Sequence, residues 1–419
     1  LEVAGRYDGH YYFAPGKRFA LFPSFSAGWR LSEEKFMQSL TFINKLKIRC
    51  SWGKSGNLAG SAYQYLAGYG FYPNQYAFGN NMVPAAYPNN EPNPNITWET
   101  SNKSDIGIEA GLWNNLLTIE ADYFFEKRKG MLLPPATIVP FEYGIGLSDE
   151  NEGIMDNHGI ELTIGSKYQF QNGLKLGLNG NFSYAKNKMV KVFETESTFN
   201  NPNRRRTGRS INTPFGYRSL GLFSTTDDKN SDGIIDANDG YNVVQFGELH
   251  PGDIKYEDIN NDDKIDANDQ VAVGYSSYPQ IFYGFTSVVE WKGFDLSLFF
   301  QGVARNSFNI NQRFQTISLF NTQSSTDYEF YNNHWTPEHQ NARYPRAYIG
   351  PNANNNNVNS DFWIETGDYL RLKNFIVGYS IPKDILKNLK VSNIRVYFSS
   401  ANLITFSKVK FSDPESNIV

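Results

Sequence analysis

Apolar and polar residues alternate over long stretches of this chain. In "LLTIEADYFFEKR", Leu117, Ile119, Ala121, Tyr123 and Phe125 fall on one side of an extended backbone. Thr118, Glu120, Asp122 and Glu126 fall on the other. "GIELTIGSKYQF" sets Ile160, Leu162 and Ile164 against Glu161, Thr163 and Lys167. "LKLGLNGNFSYA" and "FDLSLFFQG" repeat the pattern with Leu174, Leu176, Leu178 and Phe182, and with Phe294, Leu296, Leu298 and Phe300. A period of two is the mark of a strand with one apolar and one polar face. These runs reach about a dozen residues, where ordinary strands average about 5–6. A strand that crosses a bilayer as part of a barrel needs about 9–11.

Eleven long strands are expected, near 1–9, 19–31, 46–55, 98–113, 116–129, 156–171, 174–188, 280–291, 294–306, 367–381 and 393–407. Asn114-Asn115, Asn172-Gly173 and Lys292-Gly293 read as tight turns, the Asn-Gly pair as a two-residue hairpin. "SEEKFMQSLTFINK" and "PKDILKNLKVS" are short, partly helical links on the same side. The links 56–97, 130–155, 189–279 and 307–366 are long. Short and long links alternate, as in an outer-membrane barrel with short periplasmic turns and long extracellular loops. The fold class is therefore all-β, an antiparallel transmembrane β-barrel. A barrel must close, because open strand edges in lipid leave backbone groups unsatisfied. Further strands are expected beyond both ends of the 419 residues, including one that returns after Val419.

Composition narrows the class. Aromatic residues make up 16%, and Gly numbers 35, both in keeping with β-structure. The net charge of −4 gives no electrostatic case for nucleic acid. The single cysteine, Cys50, excludes an intrachain disulfide and reads as a small buried or lipid-facing hydrophobe. Trp98, Trp113 and Trp291, at strand ends, are expected in an interfacial girdle.

Two acidic stretches break the pattern, "DDKNSDGIIDANDG" at 227–240 and "DINNDDKIDANDQ" at 258–270. An EF-type calcium loop draws ligands from positions 1, 3, 5, 7 (backbone carbonyl), 9 and 12, with Gly at 6. Counting from Asp228 gives Asn230, Asp232, Ile234, Asp236 and Asp239, with Gly233 at position 6. Counting from Asp258 gives Asn260, Asp262, Lys264, Asp266 and Asp269, with Asp263 at position 6. Ile235 and Ile265 occupy position 8 as anchors. The alternative is a pair of solvated Asx turns. Structural calcium, held more weakly in the second loop, is the expectation, and it would stiffen the long segment 189–279.

Several stretches resemble the SusC/RagA family of TonB-dependent outer-membrane transporters. They are "RYDGHYYFAPGKRFALFPSFSAGWRLSEEKFM", "LKIRCSWGKSGN", "WETSNKSDIGIEAGLWNNLLTIEADYFFEKRKGML", "PGDIKYEDINNDDKIDANDQ", "FWIETGDYLRLKNFIVGYSIP" and "VYFSSANLITFSK", in order along the chain. The resemblance implies a barrel of about 22 strands, a size that needs a plug, of which residues 1–419 would form roughly the second half. It further implies an N-terminal plug domain outside these residues and a SusD-like surface lipoprotein as lid. It implies energy from the TonB complex and an oligosaccharide or oligopeptide cargo.

Other chemistry is sparse. Arg204, Arg205, Arg206 and Arg209 could meet anionic cargo or lipopolysaccharide phosphate, or serve a solvated loop and salt bridges to the acidic loops. His334 and His339 flank "WTPE" as the one close histidine pair. Catalytic motifs are lacking, so no enzyme is expected. The aromatic stretches at 62–78, 328–335 and 362–363 suit either stacking on cargo or packing between loops and lid. The competing reading is a secreted β-rich glycan-binding or glycan-degrading protein with calcium-stabilised loops. An adhesin-type surface barrel is a third.

Overall fold

The computed structural model describes all residues except 90, 138, 312–325, 327, 348–353, 387–390, 411 and 419. Eleven long strands follow one another as a single antiparallel sheet, each paired with its neighbours in chain order. We label them β1 (Glu2–Gly9), β2 (Phe19–Arg30), β3 (Ile43–Asn57), β4 (Glu99–Leu112), β5 (Leu117–Leu133) and β6 (Glu150–Gln169). The rest are β7 (Lys175–Lys191), β8 (Ile281–Trp291), β9 (Phe294–Ala304), β10 (Tyr369–Ser380) and β11 (Arg395–Ser407). Each matches an expected strand. The main departures are extensions: β6 runs for 20 residues and β5 and β7 for 17, well past bilayer thickness.

Register carries the alternation across the whole wall. Ile48 pairs with Ile108, Ile108 with Ala121, Ala121 with Leu162, and Leu162 with Phe182. One step along, Cys50, Ile106, Tyr123, Ile160 and Tyr184 form the next apolar row. Cys50 is exposed there. Among the described elements, nothing covers this face. A soluble sandwich would pack a second sheet against it, which argues against the secreted reading.

The opposite face is charged. Arg49 reaches Glu120 and Asp122, each at 2.7 Å. Lys45 and Lys47 both bind Glu109, at 2.5 and 3.0 Å. Gly107 makes room for this network, since a Cβ there would lie 1.9 Å from Asp122 Oδ1. Like-signed carboxylates share a sheet face only when cations sit between them, and Arg49 fills that role.

The tight turns lie at one end of the sheet, with one correction. Lys292 and Gly293, at φ 48° and 90°, form the expected two-residue hairpin between Trp291 and Phe294. Asn114 and Asn115 both have positive φ, as does Trp113. Asn172-Gly173, however, is not a two-residue turn. The paired strands end at Gln169 and Lys175, and at this turn only Gly173 has positive φ. Gly173 N–H donates to Phe170 carbonyl, giving a longer turn closed by one left-handed glycine. The link 31–42 carries two short 3-10 turns, and Lys383–Leu386 is helical. The rest of that second link, 387–390, lies outside the described residues.

Trp98 is also corrected. Its Nε1 donates to Arg18 carbonyl at 2.8 Å, and its ring packs on Phe13 and Phe22. It fastens the 10–18 loop to the wall instead of facing lipid. Trp113 and Trp291 remain exposed at the turn end, as an interfacial girdle requires.

Candidate functional site

The long links fold together at the other end of the sheet. Their shared core contains Tyr217, Ile254, Tyr256, Ile265, Phe308, Ile310, Phe330, Tyr344, Trp363 and Val409. These residues come from the 192–280 link, the 305–368 link and the segment after β11. A polar lattice runs through the core and begins at the asparagine run. Asn356 accepts from Ile254 N–H and donates to Asp253, while Asn355 donates to Ile254 carbonyl. Tyr256 hydroxyl donates to Asn355 carbonyl, and Trp363 Nε1 to Asn356 carbonyl. Asp253 is buried and paired with Arg346 at 2.8 Å. Buried polar groups are tolerable only when bonded in this way.

The segment after β11 is drawn back onto the wall. Arg371 of β10 is almost wholly buried and binds Asp413 at 2.6 Å and Glu415 at 3.2 Å. Lys373 binds Glu415 at 2.8 Å.

Both acidic stretches sit on this assembly and adopt one conformation. Asp228 accepts from the N–H groups of Asp232 and Gly233, and Asp258 from those of Asn261, Asp262 and Asp263. Asn230 bonds Asp232 through both amide and carbonyl, as Asn260 does Asp262. Asp232 accepts from Ile234 N–H, and Asp262 from Lys264 N–H. Asp236 and Asp266 cap single 3-10 turns, each in a capping box with the Asp three residues on. Those two, Asp239 and Asp269, are buried. Asp239 accepts from Lys229, Asn230 and Asp236, and Asp269 from Ile259, Asn260 and Asp266. Burial pushes the Asp239 carboxyl up, but its backbone N–H donors outweigh this and hold it below the usual range.

The anchors behave as expected. Ile235 is buried with Phe223 and Leu249, and Ile265 lies in the large core. Ile235 N–H donates to Leu249 carbonyl and Ile265 N–H to Val244 carbonyl. Positions 4 and 6 are left-handed in both loops: Ser231 and Gly233, then Asn261 and Asp263 at φ 62°. Among the described residues, no hydrogen bond reaches the position-7 carbonyls of Ile234 or Lys264. Nor, among them, do three His, Cys, Asp or Glu side chains gather into a metal-holding group.

The arginine cluster does not salt-bridge the acidic loops. Arg209 donates to the carbonyls of Arg205, Pro202 and Asn203, and Arg205 and Arg209 lie over the rings of Phe199 and Phe215. The backbone N–H groups of Arg206 and Thr207 bind Glu194. His334 bonds Tyr331 carbonyl, and His339 N–H bonds Thr336. The aromatic stretches divide. Trp363, at 0% exposed, and Phe330 and Trp335 are core residues, closed to any cargo. The 62–78 stretch instead forms an exposed hairpin, Tyr69–Phe78 against Asn81–Pro88, with Phe71 at 70% exposure. No sequence signal distinguished these two fates. The buried asparagines of 355–356 were likewise unmarked, since Asn runs are ordinarily solvated loops.

A continuous antiparallel wall with one apolar and one charged face, short turns at one end and folded loops at the other, defines an outer-membrane β-barrel wall. The TonB dependent receptor-like, beta-barrel family model matches residues 1–403, and the chain belongs to that family. It is 29% identical to TonB-dependent receptor P26 of Formosa agariphila, over 100% of this chain and 41% of that protein. It is 25% identical to TonB-dependent receptor SusC of Bacteroides thetaiotaomicron, over 98% of this chain and 39% of that protein. The RagAB peptide importer in its "open-open" state superposes with TM-score 0.74 at 21% identity, covering 99% of this chain and 42% of that one. The chain thus spans about two fifths of the curated relatives it matches. The SusC/RagA resemblance extends along its length, and the barrel end bearing the loops is extracellular.

Proposed function

We propose that this wall belongs to an active importer in the outer membrane, driven by TonB through a plug outside these residues. A SusD-like lipoprotein would close it from above, and the cargo would be an oligosaccharide or oligopeptide. The carrying observation is the charged inner face, where Lys45, Lys47 and Arg49 interleave with Glu109, Glu120 and Asp122. Such a face suits a hydrated lumen or a polar plug, and no aggregated or lipid-filled interior could hold it. Mass spectrometry of molecules that co-purify with the intact protein in detergent tests the reading. A ladder of glycans or peptides supports it, and lipid alone would count against it.

We further propose that the acidic loops each hold a calcium ion that stiffens the extracellular assembly. Support comes from two loops of different sequence sharing one backbone course, with position-7 carbonyls that take no hydrogen bond among the described residues. Asp228, Asn230, Asp232, Ile234, Asp236 and Asp239 would hold the first ion. Asp258, Asn260, Asp262, Lys264, Asp266 and Asp269 would hold the second. When bound, the ion would neutralise carboxylates that otherwise repel, and the loop backbone already sets their order along the turn. Calcium titration with isothermal calorimetry on the intact protein, reading two sites of unequal affinity, tests this.

A further inference from the structure

The register places a second set of charges on the outward, lipid-facing side of the wall, confined to its extracellular rim. Lys54 pairs with Asn102, Asn102 with Lys127, Lys127 with Asp156, and Asp156 with Lys188. Five adjacent strands thus present one row just above the apolar band. Lys186 lies two residues below Lys188, beside His158, and Lys129 two residues above Lys127. All share the face of Ile119, Tyr123 and Ile160 by strict alternation. Arg305, directly after β9, lies over the ring of Tyr184 at 5.5 Å and adds a sixth cation to the rim. Carboxylates nearby are few. Asp156 lies 3.7 Å from Lys127, and Glu152 is taken by Lys191. Among the described residues, Lys54, Lys129, Lys186 and Lys188 have no ion pair.

The inner rim of the same face is different. There Trp29, Tyr168, Trp291 and Phe294 stand exposed, and among the described residues no comparable row of cations follows them on this face. Hydrophobic thickness alone would treat the two rims alike. Cations on one rim only match a membrane whose outer surface carries fixed negative charge. Strands lie about 4.8 Å apart, so lysines on every second strand stand about 10 Å apart at their Cα atoms, and their long arms can converge on a phosphate group as point charges. Each aliphatic stem can lie along the acyl region while its ammonium reaches the headgroup level.

We propose that Lys54, Lys127, Lys129, Lys186, Lys188 and Arg305 form a docking belt for phosphate-bearing lipid headgroups of the outer leaflet. The belt fixes the depth of the barrel and holds an annular lipid against β3–β7.

The test uses the intact transporter purified in mild detergent, with diphosphorylated lipid A as probe and native mass spectrometry as readout. Wild type should retain phosphorylated lipid A through delipidation and lose dephosphorylated lipid A. A Lys127→Gln/Lys186→Gln/Lys188→Gln variant should retain the phosphorylated form roughly a hundredfold less, at about fivefold per lysine near a charged surface. Lys292→Gln, a cation change at the inner rim, should behave as wild type. The Lys→Arg version of the triple variant should keep the lipid. Should the Gln variant fail to assemble, the wild-type comparison of the two lipids still decides. Equal retention of both lipids by wild type, or of the phosphorylated lipid by wild type and Gln variant, overturns the belt.

Discussion

Single side chains in this wall have one of two environments, set by alternation along each strand between the points where the register shifts. Ile119 faces the apolar rows and Glu120 reaches Arg49 on the charged side. Cysteine placed at 119 should react with a lipid-soluble probe and cysteine at 120 should not, and reversed labelling would mean the register is off by one. Buried charge is the other residue-scale feature. Asp253 is held by Arg346, by Asn356 and by His250 N–H. Arg346→Ala strands that carboxylate in the loop core, at a cost of about 3–5 kcal/mol. Proteases added to intact cells should then cut within 192–280, and unchanged cutting would show that the pair is dispensable.

At the scale of elements, the acidic loops pose the sharpest question. Their backbones agree, but position 6 differs. Gly233 takes a left-handed φ of 84° freely, with nothing within 4 Å of a Cβ built there. Asp263 takes φ 62° with a side chain that disfavours it by about 1 kcal/mol. Calcium should therefore bind the second loop more weakly, and Asp263→Gly should tighten it by about fivefold. Magnesium should compete poorly, because it keeps its waters and wants a smaller cage. Chelation should loosen 192–280 to limited proteolysis while the wall stays intact. Cutting that ignores chelator would return both loops to plain Asx turns.

The molecule as a whole adds two consequences. Glu194 is pushed up by burial, but the Thr207 hydroxyl and the N–H groups of Arg206 and Thr207 outweigh this and lower it. Asp239 is lowered in the same sense. A carboxyl whose folded value is lowered contributes stability above its unfolded value and loses it as pH falls through the folded one. The loop assembly should thus keep its protease resistance at neutral pH and lose it only below the ordinary carboxyl values of 3.8 and 4.5. Hydrogen exchange of 192–280 against pH checks this, and loosening already near neutral pH would exclude it. The second consequence concerns closure. β1 and β11 are the edges of the sheet, and open edges are not tolerated in lipid. Residues 1–419 expressed alone should show no heat-modifiable band on a gel, the usual sign of a closed barrel.

The sequence by itself determined the wall. Strand number, order, which face is apolar and which end carries the turns all follow from a period-two pattern and from turn residues between runs, because a barrel strand pairs with its chain neighbours. The shared turn pattern of the acidic loops was legible for the same local reason, since their Asp and Asn residues and their isoleucine anchors lie within a dozen residues. Three things waited for tertiary structure. Asn172-Gly173 took a longer turn because the paired ladder ends at Gln169 and Lys175, a point no dipeptide encodes. Trp98 left the lipid girdle because Phe13 of the 10–18 loop and Phe22 of β2 pack against it. Asn355, Asn356 and Trp363 became a core although asparagine runs are ordinarily solvated. Each depends on contacts between segments far apart in the chain, where burial and hydrogen bonding are shared among several links and no single link shows it.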